Sequence, residues 1–202
     1  MDRLIEKYNF MINLYECTDW NFVSESDDIL TENRFMEGSD IACFKSSAVL
    51  NAEPKKILRF LWKNYDNLEN IQRYDRDIIE YEVLKDIDKN TRISYVINKL
   101  PWPLWSRDVL YLHHRGKSRG RYYMFAYSID HNIMPRKDDE YVRAVVNITA
   151  YIIEPLAHEP NTCCKISRIA HIEPMGLIPA VIINRFVDKN STLIKELKKI
   201  YG

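Results

Sequence analysis

The chain has 202 residues, 29 basic against 29 acidic, and 46% hydrophobic residues. A chain of this size can bury roughly 70% of its unfolded surface, so it needs no disulfide or metal staple. A net charge of zero argues against a dedicated nucleic-acid binder, which carries a basic excess. Four cysteines without CxxC spacing read as reduced structural thiols, and five glycines form no GxGxxG, Walker or GxSxG pattern.

In chain order, Met1-Asp-Arg-Leu-Ile-Glu-Lys7 is charged, so no signal peptide is expected. Residues 2–16 place Leu4, Ile5, Tyr8, Met11, Ile12 and Tyr15 at intervals of three and four, which predicts an amphipathic helix. Residues 17–33 are acidic and polar, with Trp20 and Phe22 expected to tuck against the body. Phe35 to Leu50 reads as one or two strands around Gly38 and Asp40. Pro54 suits the first position of a helix whose apolar stripe is Ile57, Leu58, Leu61, Trp62 and Tyr65.

From Ile78 the period changes to two. Residues 78–87, 91–100, 109–114, 122–129, 141–154 and 163–172 read as six strands. Their short links imply an antiparallel meander rather than βαβ units. Residues 174–179 break the last strand. Residues 180–201 then form a long helix with Ile182, Phe186, Leu193, Leu197 and Tyr201 on one face. No apolar run approaches the length of a membrane-spanning helix. With no linker, repeat or low-complexity segment, residues 1–202 read as one α+β domain, a curved antiparallel sheet closed by a C-terminal helix.

Lys99-Leu-Pro-Trp-Pro-Leu-Trp-Ser-Arg-Asp-Val-Leu-Tyr-Leu-His113 is the most distinctive stretch. Two prolines one residue apart forbid helix and force an extended kink. The strand that follows puts Arg107, Val109, Tyr111 and His113 on one face and Asp108, Leu110, Leu112 and His114 on the other. Parity alone leaves open which face is inside. It does show that His113 and His114 cannot share a metal.

The Trp102-Pro103 to Arg107-Asp108 stretch resembles the Trp-Pro-x-x-x-Arg-Asp motif of the START (StAR-related lipid-transfer) family. Tyr141-Val-Arg143-Ala and Ile153-Glu-Pro155 resemble a second family signature. Ile172-Glu-Pro174-Met-Gly176-Leu-Ile-Pro179 resembles the loop into the family's last helix, with Met175 in place of a Gly and Leu177 in place of a Trp. The resemblance covers about residues 30–201, with the helix over 2–16 preceding it. It implies a helix-grip fold, in which the sheet wraps the last helix around a tunnel that holds one lipid. It also implies carriage without covalent chemistry.

On this resemblance Arg107 and Tyr111 face the tunnel, with Phe186 contributed by the last helix. Positions that hold the ligand in a ceramide-carrying member resemble Glu82, Val96, Asn147 and Arg168. Two of these four residue types match; Val96 replaces a Gln and Arg168 a Tyr. Two inward arginines suit a phosphate. A glycerophospholipid such as phosphatidylcholine is therefore expected over ceramide or sterol. The alternative is that Arg107 and Glu82 form an internal ion pair that only braces the sheet. Trp102 and Trp105 on one loop, with Met175, Leu177 and Ile178 on another, are expected to flank the tunnel mouth and touch a membrane surface. The expectation is a monomeric, cytoplasmic lipid carrier with transient membrane contact and without enzymatic activity, cofactor, metal or nucleic acid. The alternatives are a lipid sensor acting through a protein partner and an enzyme using Glu82 and Tyr111 as an acid/base pair.

Overall fold

A computed structural model of the chain describes residues 2–176, 178 and 180–202, with residues 180–189 as backbone alone. Helix α1 (Asp2–Glu16) precedes strands β1 (Asn21–Ser26), β2 (Ile29–Phe35) and β3 (Ala42–Leu50). Helices α2 (Pro54–Asn64) and α3 (Leu68–Gln72) follow. Then come β4 (Ile78–Asp88), β5 (Thr91–Asn98), β6 (Arg107–Ser118), β7 (Arg121–Ser128), β8 (Val142–Arg143), β9 (Val145–Pro155) and β10 (Cys164–Glu173). Helix α4 (Ala180–Tyr201) closes the chain.

The strands form one sheet in the order β1-β2-β3-β10-β9-β7-β6-β5-β4, with β8 running parallel to the start of β6. The meander expected over residues 78–172 is therefore present, and β10 returns to pair with β3. The expectation for residues 17–33 is corrected. They form the β1–β2 hairpin, whose two turn residues, Asp27 and Asp28, both have positive φ (53° and 52°). Such a turn matches the twist of its flanking strands, and Asp tolerates that conformation. Phe22 on this edge hairpin is 69% exposed rather than tucked in, whereas Trp20 is half-buried and donates to the Leu14 carbonyl at 3.3 Å.

The sheet has two covered faces. On the outer face, Met11 and Leu14 of α1 pack on Phe125, Tyr127, Ile148, Ile152 and Ile169. On the concave face, Ile57, Leu58, Leu61 and Trp62 of α2 join Leu193, Ile194 and Leu197 of α4 over Leu50, Met124, Ile153 and Ile166. Each such aliphatic burial contributes about 1.5–3 kcal/mol. Between these helices the concave face is not filled, and a cavity remains. Among the described residues no helix is long and apolar enough to cross a membrane.

Candidate functional site

The cavity offers about 180 Å³ to the centres of water-sized molecules. Its floor is the concave face of the sheet: Val96 on β5, Val109, Tyr111 and His113 on β6, Thr149 and Tyr151 on β9, Arg168, Ala170 and Ile172 on β10. Asn64, Tyr65, Ile71, Tyr74 and Asp75 wall it from the α2–α3 side, and Thr192 and Leu193 from α4. The lining is mostly apolar with a few placed polar groups, as expected of a site for a largely apolar ligand.

Arg107 opens β6 and is 6% exposed. Its Nε donates to the Pro174 carbonyl at 2.7 Å and one terminal nitrogen donates to the Met175 carbonyl at 2.8 Å. The other terminal nitrogen donates to the Trp105 carbonyl. One guanidinium thus ties the loop before β6 to the loop after β10. Met175 and Gly176 have φ of 56° and 69°, which turns the backbone back over the arginine. A residue with a side chain adopts that region at a steric cost, so glycine is the easier residue where Met175 stands. Trp102 is 92% exposed, and Trp105 and Met175 are exposed beside it.

Asp108, next to Arg107 in sequence, faces the opposite side. It is buried and accepts from Arg143 Nε at 2.9 Å and from the Tyr95 hydroxyl at 3.0 Å. The Arg-Asp pair is therefore not one unit. Its cation holds these two loops, and its anion holds β5, β6 and β8 together on the outer face.

The inner end is a polar cluster. Arg168 donates to Asn190 of α4 at 3.0 Å, and Asn190 donates in turn to Ser46 on β3 at 3.0 Å. The guanidinium lies 5.8 Å from the Tyr151 ring centroid, and the Tyr151 and Tyr65 hydroxyls are 3.4 Å apart. The ring of His113 packs against Tyr65 and Tyr111 at centroid distances of 5.5 and 5.3 Å. Its Nε2 is 2.7 Å from Ser94 Oγ. Burial pushes His113 down to about 3, so the imidazole is neutral, and burial raises Tyr111 and Tyr65, so the phenols keep their protons.

Of the residues singled out from the sequence, Arg107, Tyr111, Val96 and Arg168 all line the cavity. Glu82 does not. Tyr81 on β4 points inward, so Glu82 is exposed on the other face, opposite Tyr95. That removes both the Arg107–Glu82 ion pair and the Glu82–Tyr111 acid/base pair. Asn147 is also outside the cavity. The β9–β10 register passes from Ile148 opposite His171 to Val146 opposite Ile172, leaving Asn147 as an extra, unpaired residue. This bulge turns Asn147 to the outer face, where its amide meets His171 at 3.3 Å and its carbonyl accepts from Lys7 of α1 at 3.1 Å. Phe186 and Leu177 fall outside the residues whose side chains are described, and Ile178 is half-buried. His113, Tyr65, Tyr151 and Asp75 were not singled out as cavity residues. For His113 the signal was present, since it shares strand parity with Arg107.

A family model described as START domain matches residues 12–198. Human START domain-containing protein 10 is 32% identical over 143 residues, covering 68% of this chain and 46% of that protein. Human ceramide transfer protein is 26% identical over 184 residues, covering 82% of this chain and 28% of its own length. The chain thus spans less than half of these curated relatives. Among solved structures, human StAR-related lipid transfer protein 5 superposes with a TM-score of 0.79 at 16% identity, covering 96% of this chain and 92% of that one. Human STARD10 superposes with a TM-score of 0.74 at 21% identity, covering 95% and 76%.

Proposed function

The chain belongs to the START domain family, and from that we propose that it encloses one lipid in the cavity and carries it between membranes. The observation that carries this reading is the pairing of an apolar cavity with a polar inner end that includes a half-buried cation, Arg168. A lipid's tails fit the first and an anionic headgroup the second. Arg168 has a planar, permanently charged fork suited to a phosphate, so the cargo is a glycerophospholipid. Arg107, by contrast, is the clasp of the mouth. Its three carbonyl bonds must be released or rearranged for the loops to part, and lid movement of this kind gates passage.

Trp102, Trp105 and Met175 surround that clasp with exposed apolar surface. Tryptophan favours the membrane interface, where an apolar ring meets a wet edge. The exposed loops therefore dock on the bilayer while the mouth opens. Binding and release require no covalent step. The test is incubation of the purified protein with phospholipid vesicles, followed by native mass spectrometry of the re-isolated protein and a vesicle-to-vesicle transfer assay. One bound phospholipid per chain and accelerated transfer are expected; no bound lipid and no transfer would overturn the reading.

A further inference from the structure

Exposed apolar side chains gather at the end of the sheet where β6 begins and β10 ends. Trp102, Trp105 and Met175 stand there around Arg107. Two further residues belong to the same end. Phe35, the last residue of β2, is 64% exposed and lies beyond Asn33, where pairing with β1 stops. It pairs with Ala42 at the start of β3, so its ring shares the sheet face of Ala42, which lines the cavity. The loop between them is held to the end of β10. Ser39 donates to the Glu173 carboxylate, and its Oγ is 3.2 Å from His171 Nε2. Two strand spacings, about 10 Å, separate β2 from β10. Ile79 stands across the sheet, on its last strand, β4. Ile78 pairs with Asn98 and Glu80 with Ile97, so Ile79 is the extra residue of a bulge, and it is 45% exposed. The Lys99 amide, at the start of the tryptophan loop, donates to the Asp77 carbonyl beside it at 2.7 Å.

We propose that Phe35 and Ile79 enter the bilayer interface together with the tryptophan loop, so that the ends of β2 and β4 form two further footings on a membrane surface. This rests on the reading that the loops tied by Arg107 meet a bilayer. One exposed apolar residue needs no explanation, but several at one end of a molecule mark a contact surface. An exposed apolar residue on an unpaired stretch of strand also invites unwanted association, a liability that a bilayer contact explains. Neither residue lines the cavity, so neither is there to hold the cargo. Each gains only where its area leaves water, and a lipid passes between cavity and bilayer with least exposure when this end lies against the membrane. Footings on β2 and β4 resist the tilting that a single inserted loop would permit.

The test compares two matched pairs of substitutions in the purified protein. One variant carries Phe35→Thr with Ile79→Thr. The control carries Val49→Thr with Ile87→Thr, comparably exposed residues at the opposite end of β3 and β4. Threonine keeps the strand preference at all four positions. Transfer of a fluorescent phosphatidylcholine between phosphatidylcholine vesicles, co-sedimentation with those vesicles, bound lipid per chain and thermal midpoint are measured for each. The Phe35/Ile79 pair should slow transfer and weaken co-sedimentation about fivefold or more, with bound lipid and midpoint unchanged. The control pair should stay within about twofold of wild type. Equal effects of the two pairs, or a loss of bound lipid that matches the loss of rate, would overturn the proposal. No other protein is present, so a loss of rate cannot come from a missing protein partner. Should the pair fail to fold, either single substitution gives the same comparison on a smaller scale. Slower transfer in Trp102→Ala with none in the Phe35/Ile79 pair would defeat this inference alone, whereas unchanged transfer in both would defeat the membrane-contact reading beneath it.

Discussion

At the mouth of the cavity, Arg107 donates to the backbone carbonyls of Trp105, Pro174 and Met175. At the inner end, His113 Nδ1 has no hydrogen-bond partner among the described residues, and Arg168 stands on the same cavity wall. All three point into one cavity, and by residue type the arginine at the mouth is the obvious headgroup ligand. Its neighbours decide otherwise. A donor already matched to a buried carbonyl can bind a ligand only by leaving that carbonyl unpaired, whereas an unmatched group gains on binding. Inward direction is therefore a weaker sign of ligand contact than unused hydrogen-bonding capacity.

The largest expected effect lies at the mouth. Arg107→Ala removes three charge-assisted bonds, each worth about 1.5–3 kcal/mol before the freed carbonyls find water. The net loss should be about 3 kcal/mol, read in thermal denaturation as a fall of roughly 6–12 °C. Faster escape of bound lipid should accompany it. Arg107→Lys, with one compact ammonium in place of a fork, should restore only part of either effect. An unchanged melting temperature with lost binding would reverse the comparison, making Arg107 the ligand contact.

Acid should act on the inner end. Burial holds His113 at about 3 in the folded protein, below the ordinary value of 6.5. Below pH 6.5 the unfolded chain takes up a proton that the folded chain refuses, so stability falls as pH falls, down to about pH 3. The slope for one such proton is about 1.4 kcal/mol per pH unit, or about 2 kcal/mol by pH 5. His171 and His114 are lowered by burial as well and act with the same sign. Urea denaturation at pH 7 and pH 5 measures the difference, and His113→Leu should show a smaller one.

Arg168 should separate binding from stability. Arg168→Gln keeps a donor for Asn190 but removes the charge. Phospholipid affinity should drop about 10- to 100-fold, the worth of one charge-assisted contact, with a smaller change in stability. Equal retention of a phospholipid and an uncharged diacylglycerol by wild type and variant would show that no phosphate rests there.

Much of this organisation was legible in the residues, and the misses have physical causes. The stripes of α1, α2 and α4 and the period-two segments from Ile78 onward located those elements because one buried face imposes its spacing on sequence. The β1–β2 hairpin has no such face. Asn21-Phe-Val-Ser-Glu-Ser26 is almost wholly exposed and is held by pairing with β2 alone. The family resemblance placed Arg107, Tyr111 and Arg168 inside, but neither it nor strand parity could foresee the bulge that turns Asn147 outward. Nor could residue types reveal the partners of Arg107, since all three are backbone carbonyls. His113 was visible by parity. Its unpartnered Nδ1 was not, because the neighbours that engage only the other ring nitrogen are brought together by the fold.

The smallest effect on stability should come from the most exposed residue. Trp102 is 92% exposed, so Trp102→Ala removes almost no buried area, and its melting temperature should lie within about 0.5 kcal/mol equivalent of wild type. Lipid content at equilibrium should not change either, because Trp102 does not line the cavity. The rate of transfer between vesicles should still fall several-fold. The ring's contribution arises only when the mouth meets the interface, where its apolar area leaves water. Trp102→Phe, which keeps most of that area, should recover most of the rate. A variant that loses bound lipid and rate together would place Trp102 in the binding site; one that loses neither would leave the mouth without its membrane contact.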